Sequence, residues 1–118
     1  MKTVYDLIVF QKAYEHSLAI HKISLGFPPC EKYGIADQIR RSTKSVCSNL
    51  VEGYSKYFYS KNEFKRYLSI SIGSSDETKL WLMYCKDLGY IEHPIFDFYT
   101  HEYTHISKML MTLYKKTS

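Results

Sequence analysis

The sequence predicts an all-α fold, an antiparallel up-down-up-down four-helix bundle, with residues 1–118 forming one domain. Three observations predict it. Apolar residues recur at spacings of three and four along most of the chain, the period of an amphipathic helix. Proline and glycine, with a capping signal at Ser60 and Glu63, divide the chain into four pieces, roughly 5–25, 33–58, 61–88 and 94–115. The connections between these pieces are short, which makes consecutive helices antiparallel neighbours.

In the first piece Leu7, Phe10, Tyr14, Leu18, His21 and Leu25 form the expected core stripe, with Val9, Ala13, Ile20 and Ile23 on a face displaced from it. Gly26, Pro28, Pro29 and Gly34 break the helix, since proline lacks an amide hydrogen and clashes with the preceding turn. The second piece carries Ile35, Ile39, Ser42, Val46, Leu50 and Gly53. Ser60 with Glu63 matches a capping box and opens the third piece. There Phe64, Leu68, Ser71, Ser75, Thr78, Leu82 and Cys85 keep an unbroken 4-3-4-3 spacing, a seam with small residues for close helix approach. Gly89 has the place of a helix C-cap and Pro94 that of a first-turn residue. The fourth piece repeats the pattern with Phe96, Tyr99, Tyr103, Ile106, Leu110 and Leu113.

The third piece has a second seam of Tyr67, Ile70, Ser74, Glu77, Trp81, Tyr84 and Leu88. A lone bundle needs one stripe per helix, so this surplus, with the displaced face of the first helix, predicts a homo-oligomer; a wide core stripe under bulky tyrosines gives the same pattern.

A chain of 118 residues buries enough surface to fold without staples. Cys30, Cys47 and Cys85 are odd in number and far apart, which suggests neither a disulfide framework nor a zinc site. The Leu7–Phe10 run is too short for a signal-peptide core and no stretch is long enough to span a bilayer, so the expectation is a cytoplasmic protein with no membrane partner. The net charge is +4, and its placement is informative. Arg40, Arg41, Lys44, Lys56, Lys61, Lys65 and Arg66 face only Glu52 and Glu63 in the middle segment, a net +5, while the rest of the chain sums to −1. Such a local field attracts polyanions; a solvated helical face gives the same pattern.

Gln38, Arg41, Ser45, Asn49 and Glu52 make a polar stripe on the second helix, read as a hydrogen-bonded seam facing Ser74 and Glu77. Arg41 is either part of that seam or a phosphate contact. Arg40 points about 100° away around the helix and is the one expected to be accessible. Tyr54, Tyr57, Phe58, Tyr59 and Tyr67 interleave with Lys56, Lys61, Lys65 and Arg66, a pattern in which cations neutralise phosphates and rings stack on unpaired bases. The same rings would serve to pack the second helix on the third, and Tyr67 is assigned to that role. Glu102 and His105 form one ExxH motif, whereas helical di-metal sites use two with further glutamates. His101, Glu102 and His105 are therefore read as an exposed face, and His16 and His21 as partly buried polar groups. No phosphate-cradling glycine loop or nucleophile elbow is present, so no catalytic residues, metal or cofactor are expected.

An ordered set of segments carries a family resemblance: Asp6-Leu7-Ile8-Val9-Phe10-Gln11-Lys12-Ala13, Phe27-Pro28, Glu31-Lys32-Tyr33-Gly34-Ile35-Ala36-Asp37-Gln38-Ile39-Arg40-Arg41-Ser42, Ser45-Val46, Asn49-Leu50-Val51-Glu52-Gly53, Gly73-Ser74-Ser75-Asp76-Glu77 and Leu88-Gly89-Tyr90. Over roughly residues 6–90 the chain resembles the bacterial four-helix-bundle proteins encoded in intervening sequences of 23S ribosomal RNA genes. The resemblance implies a bundle assembled into a ring, commonly a pentamer, with no established catalytic residues. Related bundles are accessory proteins of diversity-generating retroelements, which associate with a reverse transcriptase and nucleic acid. Two departures stand out: Cys47 replaces a usual proline, so the second helix should be less kinked, and Tyr54–Tyr59 replaces a glycine-rich stretch.

The expected function is a non-enzymatic homo-oligomeric bundle that binds RNA or single-stranded DNA through Arg40, Arg41, Lys44, Lys56, Lys61, Lys65 and Arg66. These residues spread over about 37 Å of helix, so a band around a ring is expected in place of one compact patch. The alternative is a scaffold whose tyrosine-rich surface docks another protein without touching nucleic acid.

Overall fold

The computed structural model describes residues 2–118. Its helices are α1 (Ile8–Ser24), α2 (Ile35–Lys56), α3 (Lys61–Asp87) and α4 (His93–Lys116), with 3-10 turns at Val4–Asp6 and Pro29–Glu31. No strand occurs among the described residues. The bundle measures 45 × 24 × 22 Å.

Each helix packs on its neighbours in sequence, and α1 closes the ring against α4. The contacts run antiparallel. Ser24 meets Arg40 while His21 meets Lys44 between α1 and α2. Ser42 meets Thr78 while Val46 meets Ser71 between α2 and α3. Ser75 meets Tyr103 while Lys65 lies over Tyr114 between α3 and α4.

Local chemistry sets the helix ends. The Ser60 hydroxyl accepts from the Glu63 amide at 3.2 Å and starts α3. The reciprocal half of the expected capping box is missing, because the Glu63 carboxylate turns to Arg66 instead. At the other end Gly89 adopts φ 80°, and Tyr90 and Gly89 donate to the carbonyls of Cys85 and Lys86. That pair of bonds is a Schellman closure, which needs a left-handed residue and so favours glycine. Pro94 lies in the first turn of α4, where its missing amide costs nothing. Helix α2 runs unbroken through Cys47, in line with the amide hydrogen that cysteine retains.

The core follows the predicted seams in three helices. The buried residues of α3 are Phe64, Leu68, Ser71, Ser75, Thr78, Leu82 and Cys85, the predicted set. Ile39, Ser42, Val46, Leu50 and Gly53 are buried in α2, and Tyr103, Ile106 and Leu110 in α4. Helix α1 corrects the sequence reading. Its core face is Val9, Phe10, Ala13, His16, Ser17, Ile20 and Ser24, whereas Tyr14, Leu18 and Leu25 of the expected stripe are exposed. Both faces of α1 are apolar, and the close approach goes to the one with small residues at Ala13, Ser17 and Ser24. The second seam of α3 stays uncovered at Ile70, Tyr84 and Leu88, while Tyr67 and Trp81 are half-buried.

Candidate nucleic-acid interface

Antiparallel packing divides the seven predicted basic residues between two places. Lys56, Lys61, Lys65 and Arg66 gather at the end of the bundle where α2 turns into α3. Arg40, Arg41 and Lys44 lie along α2 about 20 Å further up the axis. They do not form one patch.

The upper trio is partly committed to structure. Arg40 Nε donates to Ser24 Oγ on α1 at 2.6 Å, and that hydroxyl donates in turn to the His21 carbonyl. This corrects the expectation that Arg40 is the accessible arginine of the pair: Arg40 is half-buried against α1. Arg41 is the exposed one, 3.9 Å from Asp37 and too long for a strong contact. Lys44 Nζ donates to His21 Nδ1 at 2.9 Å. Burial holds the His21 imidazole below its usual range, with Lys44 and Arg40 adding to the effect.

The polar stripe of α2 is likewise divided. Ser45 bonds Ser74 across the seam at 2.8 Å, and Asn49 donates to both the hydroxyl and the carbonyl of Ser45. Gln38, Arg41 and Glu52 face solvent, and Glu77 accepts from Trp81 Nε1 on its own helix.

At the lower end the cations lie over aromatic rings. Lys61 Nζ is 5.6 Å from the Tyr57 ring centre, Lys56 Nζ 5.8 Å and the Arg66 guanidinium 4.6 Å from that of Tyr67, and Lys65 Nζ 4.6 Å from that of Tyr114. All are within cation–π range. Arg66 also forms a two-point ion pair with Glu63, whose carboxyl this contact lowers while the guanidinium is raised. Lys56 is raised chiefly by its contact with the Tyr59 hydroxyl, which keeps it charged at neutral pH. An open groove of about 430 Å³ between α3 and α4 is lined by Asn62, Lys65, Arg66, Ser69, Ile70 and Tyr114.

Helix α4 adds what the charge run does not reveal. Tyr114 reaches Lys65, and the exposed Lys115 and Lys116 follow in the last turn of α4. Their sequence signal is the antiparallel register of α3 and α4, which places the end of α4 beside the start of α3.

The rings split into two classes. Tyr54, Tyr57 and Tyr67 are half-buried, and Tyr54 and Tyr57 meet Phe64 edge-to-face at 6.1 and 5.3 Å. Phe58 and Tyr59 are 72% and 73% exposed.

The ExxH motif has a different use from the exposed face expected for it. The Glu102 carboxylate accepts from His16 Nε2 at 2.8 Å and Lys12 Nζ at 3.0 Å on α1, and both hydrogen bonds hold the carboxyl below its usual range. His101 and His105 face solvent. Among the described residues no group of three or more His, Cys, Asp or Glu side chains converges as metal ligands, and no helix is long and apolar enough to cross a membrane.

The family model described as 23S rRNA-intervening sequence protein matches residues 5–112. In structure the chain is similar to a protein of unknown function from the S23 ribosomal protein family of Bacteroides thetaiotaomicron VPI-5482. That likeness has a TM-score of 0.83 at 24% identity, over 92% of this chain and 96% of the other. At that identity it shows the fold. A comparison with curated proteins gives no match.

Proposed function

The chain belongs to the 23S rRNA-intervening sequence protein family, and on that premise we propose that it is a non-enzymatic, cytoplasmic helical module that binds RNA or single-stranded nucleic acid. The site is the lower end of the bundle: Lys56, Lys61, Lys65 and Arg66, extended by Lys115 and Lys116. The observation that carries this reading is the convergence of these cations, from α2, α3 and α4, on one end with half-buried and exposed aromatic rings between them. Phosphate neutralisation supplies the affinity, so binding falls steeply with salt. Arg41 and Lys44 make a weaker, separate contribution.

The module also assembles with copies of itself, as a pentameric ring on the family resemblance. The uncovered apolar side chains Tyr14 and Leu18 on α1 with Leu25 just after it, and Leu80, Met83 and Tyr84 on α3 with Leu88 just after it, support assembly. They equally favour the second reading, a scaffold that docks another protein and leaves nucleic acid alone.

The test is a titration of labelled single-stranded RNA across a salt series, with wild type beside two charge-neutralised variants. Replacing Lys56, Lys61, Lys65 and Arg66 with glutamine is expected to flatten the salt dependence by several phosphate contacts. Replacing Arg41 and Lys44 is expected to remove at most about two. Absence of binding at low salt by a folded wild-type assembly overturns the nucleic-acid reading and leaves the docking scaffold.

A further inference from the structure

The basic end contains two rings that stay largely open to solvent. Phe58 and Tyr59 form the tip between α2 and α3, where the Tyr59 and Ser60 amides both donate to the Lys56 carbonyl. Nothing in that turn calls for apolar side chains, and loop tips ordinarily carry small or polar ones. Both rings are nevertheless about three-quarters exposed.

The cations set these two exposed rings apart from Tyr57, Tyr67 and Tyr114. Among the described residues Tyr57, Tyr67 and Tyr114 each have a Lys or Arg over the ring, whereas neither Phe58 nor Tyr59 has one. Phe58 is also held in place from behind. It meets Tyr57 edge-to-face at 5.4 Å and Tyr54 at 6.3 Å, and Tyr54 and Tyr57 are anchored in turn on the buried Phe64. A ring packed against two neighbours yet mostly exposed is already ordered for a stacking partner, so little ordering entropy is lost on contact.

We infer that Phe58 and Tyr59 are a stacking platform for unpaired bases, flanked by Lys56 and Lys61 as backbone contacts, so that the tip selects single-stranded over double-stranded nucleic acid. This rests on the proposed nucleic-acid function and specifies its substrate class. A duplex presents phosphates to the lysines but keeps its bases stacked on each other, while a single strand can offer both.

The experiment compares a short labelled oligoadenylate with an RNA duplex of the same strand length, on wild type and on Phe58→Ala/Tyr59→Ala. Because both side chains are exposed, the variant should keep its helical circular dichroism. Oligoadenylate binding should weaken by roughly 10- to 100-fold, from stacking energies per base, with an unchanged salt slope and duplex affinity within about twofold of wild type. Phe58→Trp should retain binding and show quenching of its fluorescence by the single strand. Equal weakening on both probes overturns the platform, because it then acts on the shared phosphate contacts. Unchanged oligoadenylate binding also overturns it, and a simultaneous fall in assembly size assigns the tip to a second copy of the chain. If wild type binds neither probe at low salt, the underlying nucleic-acid reading is what has failed.

Discussion

Between α2 and α3 small side chains bring two backbones together: Gly53, Ser42, Ser71 and Thr78 are buried along the seam. Their hydroxyls are spent across it, with Ser71 donating to the Val46 carbonyl at 2.7 Å and Thr78 to Ser42 at 2.9 Å. Between α1 and α4 the polar contact is a single carboxylate, Glu102, clasped by Lys12 and His16. There the His16 ring stands edge-on to Phe98 and Tyr99, and a groove of about 320 Å³, lined largely by Leu7, Ile8, Val9, Met109 and Leu113, opens near its end. One seam is closed by shape with internal hydrogen bonds, the other by an ion cluster and bulky rings. The first should dominate stability and the second should be tunable by pH.

The largest expected effect breaks the first seam directly. Leu50 is completely buried, so Leu50→Ala should cost about 2–5 kcal/mol in urea unfolding through lost burial and a residual cavity. Leu18 on the outer face of α1 is 47% exposed, and Leu18→Ala should change monomer stability by less than about 0.5 kcal/mol. A similar cost at both sites would show that α1 is covered in solution, which ties this measurement to the proposed assembly.

Glycine sharpens the same contrast. A Cβ at Gly53 would lie 2.6 Å from Tyr67 Cβ and 3.3 Å from the Phe64 ring, whereas one at Gly73 meets nothing within 4 Å. Both lie in helix interiors, where alanine gains up to about 1 kcal/mol in propensity. At Gly53 overpacking outweighs that gain, so Gly53→Ala should destabilise by about 1–2 kcal/mol. Gly73→Ala should stabilise by up to about 1 kcal/mol. Opposite signs in thermal unfolding support close α2–α3 packing; equal signs remove it.

How legible these features are in sequence depends on what periodicity carries. The α3 seam is readable because Ser71, Ser75 and Thr78 leave one consistent run. On α1 both faces are apolar, and the choice between them is made by partners a single-helix pattern does not contain; Ser17 and Ser24, which mark the close contact, carry no hydrophobic signal. The basic end was visible as a run of charge from Lys56 to Arg66. Its distance from Arg40 follows from the length of α2, whereas the half-burial of Arg40 required knowing that Ser24 would take that side chain. The contribution of Lys115 and Lys116 required the register that brings Tyr114 to Lys65. Which rings are left open depends on Phe64 and the cations above the others, a three-dimensional property. Glu102 was the hardest of all, since its partners lie on the most distant helix in sequence.

That clasp sets the smallest effect and the most specific one. Hydrogen bonds from Lys12 and His16 lower the Glu102 carboxyl in the folded state, so its folded pKa lies below the unfolded value of about 4.3. The unfolded chain therefore takes up the proton first as pH falls. The stabilisation is fully present above that unfolded value and disappears as pH drops through the lower folded one. Glu102→Gln keeps the shape and removes the charge, and should cost about 1 kcal/mol at neutral pH. The difference between wild type and variant should then shrink as pH falls below about 4 to 5, read from urea midpoints at each pH. Other carboxylates, Glu31 and Glu63 among them, titrate in both proteins and cancel in the difference. A difference that stays constant with pH would mean that Glu102 holds α1 to α4 by shape alone, and the two seams would no longer differ in kind.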